Sequence, residues 1–173
     1  IFMNKLEIKQ EELEPLKDII KFTSEAWRYL ISLSNGDSEQ DYRNQKVPTE
    51  DRAQPRTQTV DICTNERFSA EDKLEARVIL RKWCKDLGGI KLTNSMIYLP
   101  ETTMRWHTNS DNPGVRRYYT FTKGDAWFAW VDKEGKTHYD KDNMGWTIRE
   151  FEAPIWHSIY TSQLRFSFGI QMS

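Results

Sequence analysis

The stretch Trp83-Cys84-Lys85-Asp86-Leu87-Gly88-Gly89-Ile90-Lys91-Leu92-Thr93-Asn94-Ser95-Met96-Ile97-Tyr98 contains a change of hydrophobic period. Upstream of Gly88-Gly89, Leu74, Val78, Leu80, Trp83 and Leu87 form an apolar stripe. Ser69-Ala70-Glu71-Asp72 supplies a capping residue and an acidic first turn. Together these predict a helix from about Ala70 to Asp86, stopped by the glycine pair. Downstream, Ile90, Leu92, Met96 and Tyr98 begin an alternation that continues in short segments through Tyr118, Phe121, Trp127, Phe128, Trp130, Ile148, Phe151, Ile155, Ile159, Phe166, Phe168 and Ile170. Turn signals at Asn112-Pro113-Gly114, Lys123-Gly124-Asp125, Lys133-Glu134-Gly135-Lys136 and Asp142-Asn143-Met144-Gly145 punctuate these segments. Their spacing of roughly 8 to 12 residues is that of an antiparallel sandwich or barrel.

The N-terminal part reads as helical. From Glu11 to Leu33, Leu13, Leu16, Ile19, Ile20, Ala26, Trp27, Leu30 and Ile31 recur at three- and four-residue steps, with a break near Thr23-Ser24 and an end at Ser34-Asn35-Gly36-Asp37. The polar stretch that follows, with Pro48 and Pro55, is expected to be a disordered connection rather than a lid. Helices first and strands after predict an α+β fold, helices buttressing a jelly roll. At 173 residues a single domain is expected, with 1–89 as helical support, including a polar loop over 35–58, and 90–173 as the strand core.

Composition narrows the partners. With 25 basic and 26 acidic side chains the formal charge is −1, which provides no sustained attraction to nucleic acid or to an anionic membrane, so recognition must come from a local site. Cys63 and Cys84 lie outside any C-x-x-C spacing and read as free thiols in a reducing compartment. No run approaches the roughly 18 apolar residues of a membrane span, and the start lacks a secretory apolar region, so a soluble, cytoplasmic protein is expected. Ile1 and Phe2 precede Met3, a pattern left equally by foreign residues ahead of a natural start and by a longer chain cut short. Seven Trp and an aromatic content of 13% point to rings that line a cavity or cover a sheet face.

Chemistry concentrates in the final third. His107 lies in Trp106-His107-Thr108-Asn109-Ser110-Asp111, His157 follows fifty residues later in Ile155-Trp156-His157-Ser158-Ile159, and Arg165 and Ser167 lie just beyond it in Leu164-Arg165-Phe166-Ser167-Phe168. If 105–109 is extended, His107 and Asn109 share a face. Trp156 to Tyr160 reads as a strand, Thr161-Ser162-Gln163 as a tight turn, and Leu164 to Ile170 as the antiparallel partner, with Arg165 and Ser167 on one face. Two imidazoles then converge with a guanidinium and a hydroxyl. That set suits a non-haem metal beside a carboxylate clamp.

Residues Asn94 to Met172 resemble the 2-oxoglutarate- and Fe(II)-dependent oxygenases, whose H-x-D/E, distant H and R-x-S motif lies on a double-stranded β-helix. The run Ile97-Tyr98-Leu99-Pro100 to Trp106-His107 looks like that family's lead-in to its first ligand, with Glu101 where Gly is common, and Asp142-Asn143-Met144-Gly145-Trp146 resembles the stretch before its second histidine. The resemblance implies Fe(II) and 2-oxoglutarate as cofactors. It implies His107 and His157 as catalytic metal ligands, Arg165 and Ser167 on the far carboxylate of 2-oxoglutarate, and Tyr98 helping to hold it. Asn109 departs from the pattern where a carboxylate is expected. Three readings stand: Asp111 reaching the metal from a bulged strand, two histidines plus water as in the aspartyl/asparaginyl hydroxylase branch, and ligation by Asn109. Halogenation, which an open ligand position also suggests, fits poorly because Asn is larger than the Ala or Gly of halogenating members.

The implied function is a hydroxylase that couples decarboxylation of 2-oxoglutarate by dioxygen to oxidation of a C–H bond. The expected partners are 2-oxoglutarate, dioxygen and a small-molecule or side-chain substrate, with nucleic acid disfavoured by charge. The alternative is a metal-free binding module on the same fold. Elsewhere, His138 is expected on an exposed loop, at most one of Arg116 and Arg117 to face the cavity, with surface solvation of one and a salt bridge for the other as the alternative, and Trp127, Phe128 and Trp130 to be core, with a substrate wall as the other reading. Tyr118 and Thr120 share a strand face opposite Tyr119 and Phe121, with the inward pair unassigned.

Overall fold

The structure is a computed structural model and describes residues 3–50 and 59–173. After the edge strand β1 (Met3–Leu6) come α1 (Gln10–Phe22), α2 (Ser24–Leu30), α3 (Glu39–Asn44), β2 (Thr59–Asp61) and α4 (Ala70–Asp86). The strand region follows: β3 (Lys91–Tyr98), β4 (Thr102–His107), β5 (Gly114–Thr122), β6 (Ala126–Val131), β7 (Thr137–Lys141), β8 (Gly145–Ala153), β9 (His157–Thr161) and β10 (Arg165–Gln171). α4 has the predicted bounds, its first turn capped by Ser69 Oγ, which accepts from Asp72 N at 3.0 Å. The break between α1 and α2 falls at Thr23, whose hydroxyl donates to Ile19 O at 2.6 Å and so competes with the helical ladder.

Two antiparallel sheets face each other. The larger has the order β1-β8-β5-β10-β3-β2 and the smaller β4-β9-β6-β7. This is an α+β double-stranded β-helix, or jelly roll. The region expected to be purely helical thus also lends β1 and β2 to the edges of the larger sheet. Among the described residues, no helix is long and apolar enough to cross a membrane.

Strand alternation sorts side chains into layers. Ile97, Tyr119, Ile148, Phe166, Phe168 and Ile170 face α1 and α4, forming the main core with Leu13, Leu16, Leu80 and Trp83. Trp83 seals this layer, its ring 5.0 Å from Tyr119 and its Nε1 donating to Glu12 O at 2.9 Å. Between the sheets lie Tyr98, Met104, Phe128, Phe151, Ile155 and Ile159. Outside the smaller sheet, Tyr42 of α3 stacks on Tyr160 at 5.7 Å and donates to Ser158 O.

Four expectations change. β9 and β10 are not a hairpin: the turn at 162–164 carries the chain from the smaller sheet to the larger, where β10 pairs with β3 and β5. A tight turn in sequence does not say whether the next strand stays in its sheet. The polar connection contains the helix α3, capped by Ser38 and anchored by one buried ring, Tyr42, too few apolar residues to leave a periodic signal; 51–58 lie outside the described residues. Leu74 and Val78 are exposed, since the buried face of α4 is Ala76, Leu80, Trp83 and Cys84. His138 lies on β7, half-buried, stacked on Trp130 at 4.8 Å and within 2.6 Å of Asp132.

Candidate functional site

The cavity between the sheets holds about 590 Å³, including its opening to solvent. From the smaller sheet it receives His107 and His157, whose rings are 4.1 Å apart and almost fully buried. Their shared orientation depends on an irregularity in β4. Met104 pairs with Ile159 and His107 with His157, so three steps on β4 match two on β9. The extra residue is a β-bulge, and it resets the alternation. Met104 faces the cavity, Trp106 turns to the outer layer, and His107 faces inward again.

Each imidazole is held the same way. Nδ1 of His107 donates to Arg105 O at 2.7 Å, and Nδ1 of His157 to Ile155 O at 2.7 Å. With Nδ1 carrying the proton, both Nε2 are acceptors facing the cavity, that of His157 receiving the Asn109 amide N–H, and this is the tautomer that metal-binding histidines adopt when a backbone carbonyl braces the far nitrogen. Burial lowers the pKa of both rings, and Arg116 and the other imidazole add to the effect at His157. Both rings are neutral at neutral pH, as a metal requires.

Asn109 completes this end. The strand stops at His107, and Asn109 adopts a left-handed conformation with φ 61°, which Asn tolerates better than most residues. The shared face expected from an extended backbone is reached by this turn instead. The carboxamide lies 3.2 Å from His157 Nε2 and lines the cavity. Asp111 is exposed on the turn closed by Asn112 N to Asn109 O at 3.1 Å, and is absent from the lining. Among the described residues, no group of three or more His, Cys, Asp or Glu side chains is placed to hold a metal; the available donors are two imidazoles and an amide.

The larger sheet supplies the other end. Arg165 and Ser167 both face the cavity and are 2% exposed. Arg165 donates Nε to Asp142 Oδ2 at 2.8 Å, yet its buried Nη1 has no partner. Tyr98 packs 5.4 Å beneath the guanidinium, and burial pushes its phenol up to about 12, so it stays a donor. Asp142, apparently one more turn residue in the sequence, is the ion that sequence reasoning missed: it is buried between Arg165 and Arg149, with Arg149 Nη1 at 2.5 Å. Burial alone would raise its pKa, but the two guanidiniums outweigh this and hold it below the ordinary carboxylate range. Only an Asp among turn formers with two arginines at strand parity could have signalled it.

The unassigned parities are now fixed. Tyr118 and Thr120 face the cavity, with Arg116 two residues before them, while Arg117 pairs outward with Glu150 at 2.8 Å. Phe128 lines the cavity; Trp127 faces outward, under the Arg43 guanidinium at 4.3 Å. The cavity lining therefore has three arginines and, among the described residues, no Asp or Glu.

No family model and no curated protein matches the chain. Among solved structures, partial likeness is found to a prolyl hydroxylase from Trichoplax adhaerens in complex with a hypoxia inducible factor peptide fragment, at 13% identity and TM-score 0.48, covering 98% of this chain and 82% of that one. Another is an oxalate decarboxylase of Lactobacillus farciminis in its formate complex, at 25% identity and TM-score 0.36; it covers 44% of this chain, which spans only 22% of that protein's length. A third is Peruvianin-I, a cysteine peptidase from Thevetia peruviana latex, at 14% identity and TM-score 0.38, covering 79% and 75%. The strand order and the facing of the two sheets, rather than these likenesses, define the architecture.

Proposed function

We propose that this protein is a 2-oxoglutarate- and Fe(II)-dependent dioxygenase, a hydroxylase of C–H bonds. The observation that carries the reading is the cavity's polarity: two braced imidazoles presenting unprotonated Nε2 atoms at one end, and at the other a buried guanidinium with an unpartnered Nη1 beside a serine hydroxyl. An orphaned, charged donor in a lining without carboxylates fits the far carboxylate of a keto diacid. Two neutral imidazoles and an amide oxygen fit a divalent transition metal, with one anionic ligand fewer than the usual facial triad.

In this reading His107 and His157 hold iron through Nε2. The amide of Asn109 turns its oxygen, in place of its N–H, toward the point that both rings face. Arg165 Nη1 and Ser167 Oγ donate to the far carboxylate of 2-oxoglutarate, Tyr98 contributes its phenol, and Asp142 fixes the guanidinium by its Nε edge. Phe128, Phe151 and Ile159 form the apolar walls that exclude water. When bound, iron and 2-oxoglutarate supply the oxidative chemistry, releasing succinate and carbon dioxide.

Anaerobic reconstitution followed by oxygen tests this. Fe(II) and 2-oxoglutarate should bind with mutual dependence, and oxygen should produce iron-dependent succinate. Protein that binds neither and forms no succinate is a metal-free binding module instead. Comparing Asn109→Ala with Asp111→Ala identifies the third ligand: weakened iron binding in the first alone is expected.

A further inference from the structure

Four arginines lie on the inner strands of the larger sheet, and three are matched by carboxylates. Arg117 pairs with Glu150, Arg149 with Asp140 and Asp142, and Arg165 with Asp142. Arg116 is 6% exposed and has no carboxylate partner among the described residues. Its Nη2 donates to Asn112 O at 2.6 Å and its Nη1 to Tyr118 Oη at 3.3 Å, while its buried Nε has no partner. A guanidinium this deep, held by two neutral acceptors with a third donor idle, is arranged for an anion that comes and goes.

The register separates this anion from the cosubstrate. On the inner face, Arg116 is level with Gln171 and Phe151, Thr120 with Ser167, and Thr122 with Arg165. Arg116 and Arg165 therefore enter the cavity from opposite ends, about 20 Å apart along the strands at their Cα atoms. Arg116 lies at the imidazole end, near enough for its charge to bear on both rings. Asn94, level with Gly169 and Tyr118 and hence one step from Arg116, has a buried Oδ1 that also lacks a partner. This end of the cavity thus offers both a donor for a carboxylate and an acceptor for an N–H.

We propose that Arg116 binds a carboxylate of the substrate itself, and that the substrate is a small carboxylate-bearing compound of the amino acid class. The proposal rests on the dioxygenase reading for its reaction, but the binding of the anion does not depend on turnover.

The test uses the full chain, its Arg116→Gln and Arg116→Lys variants, and a panel of free L-amino acids paired with their carboxamides. In the iron-free protein, binding is read by calorimetry and by the thermal midpoint. At least one amino acid should bind where its amide does not; Arg116→Gln should weaken that binding roughly a hundredfold and Arg116→Lys should retain part of it. With iron, 2-oxoglutarate and oxygen, the same amino acid should stimulate succinate formation in the native protein, in part in Arg116→Lys and not in Arg116→Gln. The half-saturating 2-oxoglutarate concentration in Arg116→Gln should stay within about twofold of native. Amides that bind as well as acids, no panel member that binds, or a tenfold rise in the 2-oxoglutarate requirement of Arg116→Gln overturns the proposal. Carboxylate-selective binding with no succinate under any condition leaves the Arg116 site standing and overturns the dioxygenase reading alone. If Arg116→Gln lowers the unliganded thermal midpoint, Arg116→Lys carries the comparison.

Discussion

The two sheets divide the chemistry between them. The larger, backed by α1 and α4, presents hydroxyls and guanidiniums, two of which are tied to the buried carboxylate of Asp142; the smaller, backed by α3, presents imidazoles braced by backbone carbonyls. The difference lies in how each group resists burial. An arginine keeps its charge in the interior, and Arg149 and Arg165 meet theirs with Asp142 from the turn after β7. A histidine escapes the cost by losing its proton, so it needs only a backbone acceptor two residues earlier in the chain. Because the means are separate, anion and metal binding should be separable by mutation.

The largest effect should come from the smaller sheet: His157→Ala should abolish Fe(II) binding in an anaerobic titration while leaving the fold intact by circular dichroism. Iron affinity close to native would break the division. Next, Asp142→Asn leaves Arg165 without a carboxylate and Arg149 with Asp140 alone, and should cost about 3 to 5 kcal/mol in urea unfolding; a loss below about 1 kcal/mol would mean that the carboxylate is dispensable. The sign of the accompanying pH effect follows from its depressed pKa. Asp142 stabilises the fold above the unfolded carboxyl value of about 3.9, and this contribution is lost as pH falls through the lower folded value. The acid-side loss of stability should therefore be shallower in Asp142→Asn.

Arg165→Ala should raise the 2-oxoglutarate requirement about 30- to 100-fold, an effect of roughly 2 to 3 kcal/mol, with iron binding nearly unchanged. Loss of metal would show that the two sheets are not independent. The smallest effect belongs to the helix layer that supports the larger sheet. Leu74→Ala on the outer face of α4 should change stability by less than about 0.5 kcal/mol, against about 2 to 5 kcal/mol for the buried Leu80→Ala. Equal losses would mean that Leu74 is covered in solution.

Local signals were readable in the sequence where one residue type has one meaning. Ser69 and the Gly88-Gly89 pair bounded α4, and the turn residues separated the strands, because caps and turns are decided within a few residues. The histidines, Arg165, Ser167, Tyr98 and Asn109 do come to one cavity. What was hidden depended on contacts across the fold. Asp142 looked like a turn former until two arginines were seen around it. Leu74 and Val78 matched helical spacing, but Ala76 and Cys84 show that the packed face lay elsewhere. Tyr42 anchors α3 alone, and one ring makes no period. The destination of β10 is set by which sheet lies across the turn, which 162–164 does not specify.

The bulge in β4 makes the site a matter of counting. Residue identity gives His107 its imidazole, but the parity of the strand gives it a direction, and that parity is set by one surplus position between Met104 and His107. A relative that kept every residue of the motif but ran this strand without the bulge would point Trp106 into the cavity and the imidazole out. Searches for such sites by residue pattern alone will therefore accept chains that cannot assemble one. Transplanting the site to another jelly roll means carrying over the surplus residue together with the histidines.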